Sequence, residues 1–298
     1  MTILSDDQTV GIGCPCGANE PLSEAFQTQT RQYVRCPVCD LVFLEPRPTR
    51  DTLEEYFQED YDGDYGEIEA SDDRQPVFQS VVHHLSLYGS PPGTLLDIGC
   101  GDGEFLLLCR DAGWSCSGIE LSKQAAMRAA QKGLTVLSPN MLVRGEWAQH
   151  FDVVTMINVL ETVADPVMML RQATTLLAPD GLVIVRATNG AFHLSMRTPA
   201  RWIGSQYDQA FHWYLYSAKA LTVLMEGAGL TVISLRNSKP SRGPLSSVHP
   251  LMSQLKWTLS RSVLWPLSQS LYFMTRGRLV WAPSFEIIAQ RSGAPGAL

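Results

Sequence analysis

Between residues 94 and 290 the chain switches repeatedly between short apolar runs and segments whose apolar positions recur at helical spacing. Runs at 95–98, 114–119, 134–137, 151–157, 182–187, 230–235 and 284–290 have strand length and are bounded by turn residues. Segments 105–109, 123–132, 165–177 and 217–226 carry the helical period. Alternation of this kind predicts an α/β domain with a mainly parallel sheet covered by helices. Upstream, Val77, Phe78, Val81, Val82, Leu85 and Leu87 form an apolar face, predicting an amphipathic helix over 75–88. Gly89-Ser90-Pro91-Pro92-Gly93 closes that helix and marks a boundary. His83 and His84 on this helix read as surface positions or neighbours of a cofactor lid, without chemistry of their own.

The turn after the first of these runs is the most informative part of the chain. Leu95–Ile98 leads into Gly99-Cys100-Gly101-Asp102-Gly103-Glu104, and an apolar helical segment follows. Glycines at a strand-to-helix turn let the backbone fold tightly and let a ligand approach closely. A dinucleotide fingerprint wants a third glycine where this chain has Glu104. Asp97, Asp102 and Glu104 also crowd a helix start that would otherwise welcome a pyrophosphate. A phosphate-free ligand with a cationic end suits the turn better, and S-adenosylmethionine (SAM) has that chemistry.

In these residues the chain resembles the class I SAM-dependent methyltransferases. Further motifs fall in the family's order. Glu120 ends the second strand, where the family's acid holds the ribose hydroxyls. Asn158-Val159-Leu160-Glu161-Thr162-Val163-Ala164-Asp165-Pro166 resembles the family's VLEHxxDP segment, with Thr162 at the usual His. Leu177-Ala178-Pro179-Asp180-Gly181 resembles the turn into the fifth strand, and 217–235 the last helix and sixth strand. The resemblance implies a Rossmann-like doubly wound sheet with an antiparallel seventh strand. It implies SAM contacts from Asp97, Gly99, Cys100, Gly101, Glu120 and Leu121, with Asn140 near the adenine and Asn158 on the methyl side.

The N-terminal region carries a second signal. Cys14-Pro15-Cys16 and Cys36-Pro37-Val38-Cys39 are close pairs set among turn residues and strand-like runs. Four thiolates in this pattern suit a structural, tetrahedral zinc, although the single residue inside the first pair is short for the usual knuckle. Residues 36–48 also resemble the ribbon that precedes many bacterial class I methyltransferases, often among enzymes that decorate sugars. The remaining cysteines, Cys100, Cys109 and Cys116, read as structural. The expected organisation is a zinc-ribbon segment over 1–50, an acidic linker and helix over 51–92, a SAM-binding domain over 93–291, and a tail over 292–298. A helical insertion, 236–283, separates the sixth and seventh strands.

Composition narrows the function. The chain has 298 residues, 45% hydrophobic and 18% charged, with a net charge of -7. Bulk attraction to nucleic acid is therefore not expected. No secretory signal or membrane-spanning run is visible, so a cytoplasmic protein is expected. Charge is uneven: 51–73 is densely acidic, while the segment from Arg236 onward is basic and aromatic. Residues 251–274, with Leu251, Leu255, Leu259 and Val263 at helical spacing, are consistent with a pocket cap, a dimer surface, ordinary packing or contact with a membrane surface.

Methyl transfer needs alignment of acceptor, methyl and sulfur, and a hydroxyl acceptor also needs a base. Candidate groups are Glu161, His193, Tyr207, His212, Tyr214 and Tyr216, with His212 as base and Glu161 and Tyr216 beside it. Tyr61 and Tyr65 are candidates to close over the cofactor. The expected acceptor is a small or carrier-linked metabolite, with a sugar as one form. RNA or protein methylation, and a SAM-binding scaffold without turnover, are the alternatives.

Overall fold

The computed structural model describes residues 9–11, 13–28, 31–59, 74–202, 212–240 and 258–293. Tyr61, Tyr65, Tyr207, Leu251 and Leu255 lie outside them, as do most of the acidic linker and the last five residues.

The N-terminal region contains β1 (Thr9–Val10), β2 (Ser23–Gln27), β3 (Gln32–Arg35), β4 (Val42–Leu44), β5 (Arg47–Pro48) and helix α1 (Arg50–Glu59). β2, β3 and β4 form an antiparallel meander, and β1 pairs with β5. The turn between β3 and β4 is closed by the Asp40 N–H on the Cys36 carbonyl and the Cys36 N–H on the Leu41 carbonyl, both 3.0 Å. Asp40 takes the left-handed conformation there (φ 67°), which Asp tolerates better than most residues.

The core follows as α2 (Gln75–Leu85), β6 (Thr94–Ile98), α3 (Glu104–Asp111), β7 (Ser115–Ile119), α4 (Lys123–Gln131), β8 (Thr135–Leu137), β9 (Phe151–Ile157), α5 (Pro166–Leu176), β10 (Leu177–Thr188), α6 (Gly190–Trp202), β11 (Tyr214–Leu215), α7 (Ala218–Gly227), β12 (Leu230–Ser238), α8 (Trp265–Met274) and β13 (Ser284–Arg291). Seven strands make one sheet in the order β12-β13-β10-β9-β6-β7-β8. β6 to β10 run parallel, and β13 inserts antiparallel between β10 and β12. This is the expected Rossmann-like architecture, down to the antiparallel seventh strand.

Strands β9 and β10 are buried almost throughout because helices cover both faces of the sheet. α2 and α3 pack on one face through Phe78, Val81, Leu85, Phe105 and Leu106. α5, α7 and the N-terminal ribbon pack on the other, through Leu170, Leu176, Leu221, Leu224, Leu41 and Phe43. Helix starts are fixed by side-chain caps: Ser122 on Ala125 N–H (3.3 Å), Asp165 on Met168 N–H (2.9 Å) and Ser217 on Ala220 N–H (3.1 Å).

Four features differ from the sequence reading. The short strand β11 pairs antiparallel with β4, so the ribbon meander becomes a four-stranded sheet, β11-β4-β3-β2, that takes one strand from the segment between α6 and α7. α6 occupies a stretch to which the sequence reading assigned no element. β10 begins at Leu177 and carries a register shift between Leu177 and Leu182, where a turn was expected. His84 is 1% exposed and belongs to the interior, whereas His83 is exposed.

Candidate active site

From β6 the chain runs outward to β7 and β8 and then returns to β9 on the other side of β6. The crevice at the carboxyl ends of the strands opens at such a reversal. The loop after β6 lines it. Gly99 has φ 75°, and a Cβ there would lie 2.5 Å from Val159 Cγ2, so only glycine fits. The Gly99 and Cys100 N–H groups both donate to the Ile119 carbonyl (2.8 and 3.1 Å), and Gly101 N–H donates to Glu120 Oε2 (2.8 Å). These three amides are thus spent inside the fold. An anion would need them free, so this loop offers bare backbone rather than a phosphate cradle.

Charge in the crevice follows the same logic, with one correction. Asp102 is held by the Arg128 guanidinium (2.8–3.0 Å), and Glu104 by Lys132 (2.6 Å). Their repulsion towards an anion is therefore compensated. The acid that remains is Asp97, 2% exposed, accepting the Thr155 hydroxyl at 2.6 Å. Burial pushes its carboxyl up to about 7, against the opposing pull of that hydroxyl. Glu120 accepts Gly101 N–H on one oxygen and Ser122 N–H on the other, both 2.8 Å. Leu121 follows it, half-buried. Asn140 is exposed, in a 3₁₀ turn (Pro139–Val143) after β8, beyond the carboxyl end of the strand beside β7.

Beyond β9 and β10 lies the second group of candidates. Asn158 sits at φ 60°, held by its N–H on the Arg186 carbonyl (2.9 Å). Its side chain accepts from Arg186 and donates to Glu161 Oε1 (3.1 Å). Glu161 is fully buried, and Oε1 also accepts the Thr188 N–H at 2.7 Å. Glu161 Oε2 has no hydrogen-bond partner among the described residues. The Glu161 carbonyl accepts the N–H groups of Trp213 and Tyr214 (3.0 and 3.3 Å), which docks the segment leading from His212 into β11 against this loop. Burial pushes the His212 imidazole down from its usual value, the Glu161 charge opposes this, and Arg186 reinforces it.

The other candidates are committed elsewhere. The Tyr216 hydroxyl donates to the Leu160 carbonyl (2.9 Å), and burial raises its ionisation well above the usual tyrosine range. The Tyr214 hydroxyl donates to the Ala164 carbonyl and accepts from Arg47, and burial pushes it up to about 12. His193 bonds the Pro283 carbonyl at 2.9 Å, and burial takes it down to about 4. These three side chains brace the loops around the site.

The cysteine pairs do converge. Cys14 Sγ lies 3.5 Å from Cys39 Sγ and Cys16 Sγ lies 3.7 Å from Cys36 Sγ, with all four sulfurs within 4.8 Å of one another. Four sulfurs about 2.3 Å from a central zinc would be ~3.8 Å apart, so the cluster fits a tetrahedral ion. The one-residue spacing of the first pair is accommodated by a turn closed by Gly17 N–H on the Cys14 carbonyl (3.0 Å), with Gly17 at φ 78°.

Comparison with known proteins agrees with this geometry. A family profile described as a methyltransferase domain matches residues 71–235, more than half of the chain. The chain belongs to this methyltransferase family. Curated relatives include a ubiquinone biosynthesis O-methyltransferase of Caulobacter sp. (strain K31), 39% identical over 104 residues, covering 32% of this chain and 40% of that one. Another, of Aeromonas salmonicida (strain A449), is 29% identical over 175 residues, covering 54% and 69%. The match thus spans less than half the length of the Caulobacter relative. Among solved structures, magnesium protoporphyrin IX methyltransferase from Synechocystis PCC 6803 with bound SAH aligns with a TM-score of 0.55 at 14% identity, covering 82% of this chain and all of that one. The methyltransferase in a complex with the Haloferax volcanii Trm112 activator gives 0.56 at 13%, covering 79% and 97%. Both show the fold.

The crevice of this family member offers acceptor groups of the kind that an ammonium and ribose hydroxyls need. Asp97, a buried acid bonded by the Thr155 hydroxyl, suits an ammonium, and Glu120 sits at the end of β7 with its oxygens on the Gly101 and Ser122 amides, where a ribose would lie. Two functional features of the methyltransferase escaped the sequence reading. Arg186 is 1% exposed on β10 and bonds Ser238 Oγ (2.9 Å), the Lys239 carbonyl (3.2 Å) and Asn158. Glu286, fully buried on the neighbouring β13, gathers His84 (3.0 Å), Ser80 (3.1 Å), Ser238 (2.8 Å) and Arg236 (2.8 Å). A polar chain consequently runs from α2 through Glu286, Ser238, Arg186 and Asn158 to Glu161. Its sequence signal was a charge inside each of two apolar strands, Val185-Arg186-Ala187 and Phe285-Glu286-Ile287, since unpaired charges are excluded from such positions.

Proposed function

We propose that the enzyme methylates a hydroxyl group of a small or carrier-linked metabolite, with His212 as the base and Glu161 as its electrostatic partner. The observation that carries this is the buried Glu161 carboxylate, whose second oxygen has no hydrogen-bond partner among the described residues and whose backbone carbonyl docks Trp213 and Tyr214 next to His212. An orphaned buried acceptor costs about 1–3 kcal/mol, and a substrate hydroxyl or a protonated imidazole would satisfy it. His212 is neutral near pH 7 because burial lowers its affinity for protons, so it is ready to accept one.

SAM supplies an electrophilic methyl on a sulfonium when bound. Asp97 and Glu120 hold the two ends of that ligand, and the Gly99 backbone permits the close approach. Asn158, locked by Arg186, sets the rotamer of Glu161. Glu161 stabilises the imidazolium that forms as His212 takes the acceptor proton, and the buried surroundings exclude water. Tyr216 and Tyr214 keep the loop 160–164 in register. The relatives' names specify O-methylation in ubiquinone biosynthesis, which supports a hydroxyl acceptor in this chain.

The ribbon belongs to the same machine. Cys14, Cys16, Cys36 and Cys39 hold a structural zinc in this reading. The metal fixes β3 and β4, Tyr33 donates its hydroxyl to the His212 carbonyl (2.8 Å), and Leu44 N–H donates to the Trp213 carbonyl (2.8 Å). The test is turnover of labelled SAM with panels of phenols, sugars and carrier-linked acceptors. His212→Ala should lower kcat by about 10²–10⁴ with SAM affinity unchanged. Unchanged kcat would remove His212 from the reaction, and methylation confined to amines would overturn the hydroxyl assignment.

A further inference from the structure

We infer that residues 258–274 form an interfacial anchor that lays the enzyme on an anionic lipid surface. The segment is helical throughout, with a π-helical turn at Ser260–Leu264 running into α8. One side of α8 faces the protein: Ser268 is buried, its carbonyl accepts from Asn237 (3.0 Å), and Tyr272 donates to the Leu235 carbonyl on edge strand β12 (3.0 Å). The side away from these contacts is apolar and bare. Leu259, Val263, Leu267 and Met274 are 49%, 51%, 47% and 80% exposed, and Phe273 beside them is 72% exposed. Within α8, Leu267 and Met274 lie about 20° apart and about 100–120° from Ser268, and exposed Leu259 and Val263 precede them along the segment. Scattered exposed leucines need no explanation, but an apolar stripe of about 25 Å along one helix does.

The charge around the stripe selects its occupant. From Gly227 to Phe285 the sequence contains no Asp or Glu, in a chain whose net charge is -7. Arg261 lies near the start of the helix and Arg276 and Arg278 just past its end, all three exposed and without an ion pair among the described residues. Exposed arginines near both ends of the segment, with no acid in it, match a surface that is oily beneath and negative above. A second copy fits less well, because pairing two identical segments that contain arginines and no Asp or Glu gathers like charge with nothing to offset it. The anchor is a feature of this insertion and is independent of the acceptor's identity.

Vesicle flotation of the full chain, without SAM, tests it. Binding should be strong to equimolar phosphatidylcholine–phosphatidylglycerol vesicles, weak to phosphatidylcholine alone, and should fall as salt rises. Val263→Asp with Leu267→Asp should reduce binding more than tenfold. Arg261→Gln with Arg276→Gln and Arg278→Gln should erode the preference for phosphatidylglycerol by about fivefold per arginine. Calorimetry with SAM confirms that each variant is folded. The inference is overturned if the wild type stays unbound to the anionic vesicles, if the paired Asp variant floats like wild type, or if light scattering shows a dimer that this variant converts to monomer.

Discussion

Asp97 offers the most quantitative test of the cofactor crevice. Its carboxyl goes from 3.8 in an ordinary setting to about 7 in the fold, because burial disfavours the charged form more than the Thr155 hydroxyl favours it. The folded state therefore holds a proton that the unfolded chain releases, so its stabilising effect is full below pH 3.8 and disappears as pH rises through about 7. The whole shift corresponds to about 4 kcal/mol, of which about 2.5 kcal/mol lies between pH 5 and 8. His84, His193 and His212, lowered by burial, give slopes of the opposite sign as pH rises towards 6.5, so the raw profile mixes effects. The informative quantity is the difference between wild type and Asp97→Asn. Urea unfolding of both proteins across this range, without SAM, should show wild type losing about 2.5 kcal/mol relative to the variant. SAM should suppress the difference, since its ammonium favours the carboxylate, and SAM affinity should rise with pH through 7 in wild type only. Parallel pH profiles for the two proteins would refute the reasoning.

Other predictions probe separate parts of the account. Glu286→Ala removes the buried acceptor shared by His84, Ser80, Ser238 and Arg236 and should cost about 3–5 kcal/mol in urea unfolding. Burial raises the Glu286 carboxyl, but its bonds to His84, Arg236 and Ser238 outweigh this and lower it, so the stability it gives should fade as pH falls below 4.5. Gly99→Ala forces a Cβ into Val159 at a left-handed position, costing about 1–2 kcal/mol of backbone strain alone, and calorimetry should show weakened SAM binding. Elemental analysis should find zinc in the purified chain and none in Cys36→Ser. Chelation should lower turnover far more than SAM affinity, because the ribbon braces the segment leading from His212 into β11 and leaves the glycine loop untouched.

Much of the fold was legible because its signals are local. The strand period, the glycine turn and the Ser122, Asp165 and Ser217 caps each sit within a few residues of what they determine. β11 escaped because two residues carry no period, and its partner β4 lies some 170 positions earlier. α6 was obscured by Gly190 at its start and Pro199 inside it, both ordinary marks of a loop. The site divided in the same way. Asp97, Glu120 and Glu161 follow from their place at strand ends. Arg186 and Glu286 become partners only once the register of β10 and β13 is known. His84 went inside and His83 outside because the buried acid across the sheet decides which adjacent histidine is useful.

The central claim, that a crevice of spent amides, Asp97 and Glu120 binds a cationic nucleoside donor, is tested most directly by isothermal titration of the full chain with SAM and with NAD. One SAM site per chain is expected, lost in Glu120→Ala and retained in His212→Ala, with no heat from NAD. Binding of NAD, or SAM binding indifferent to Glu120→Ala, would contradict it.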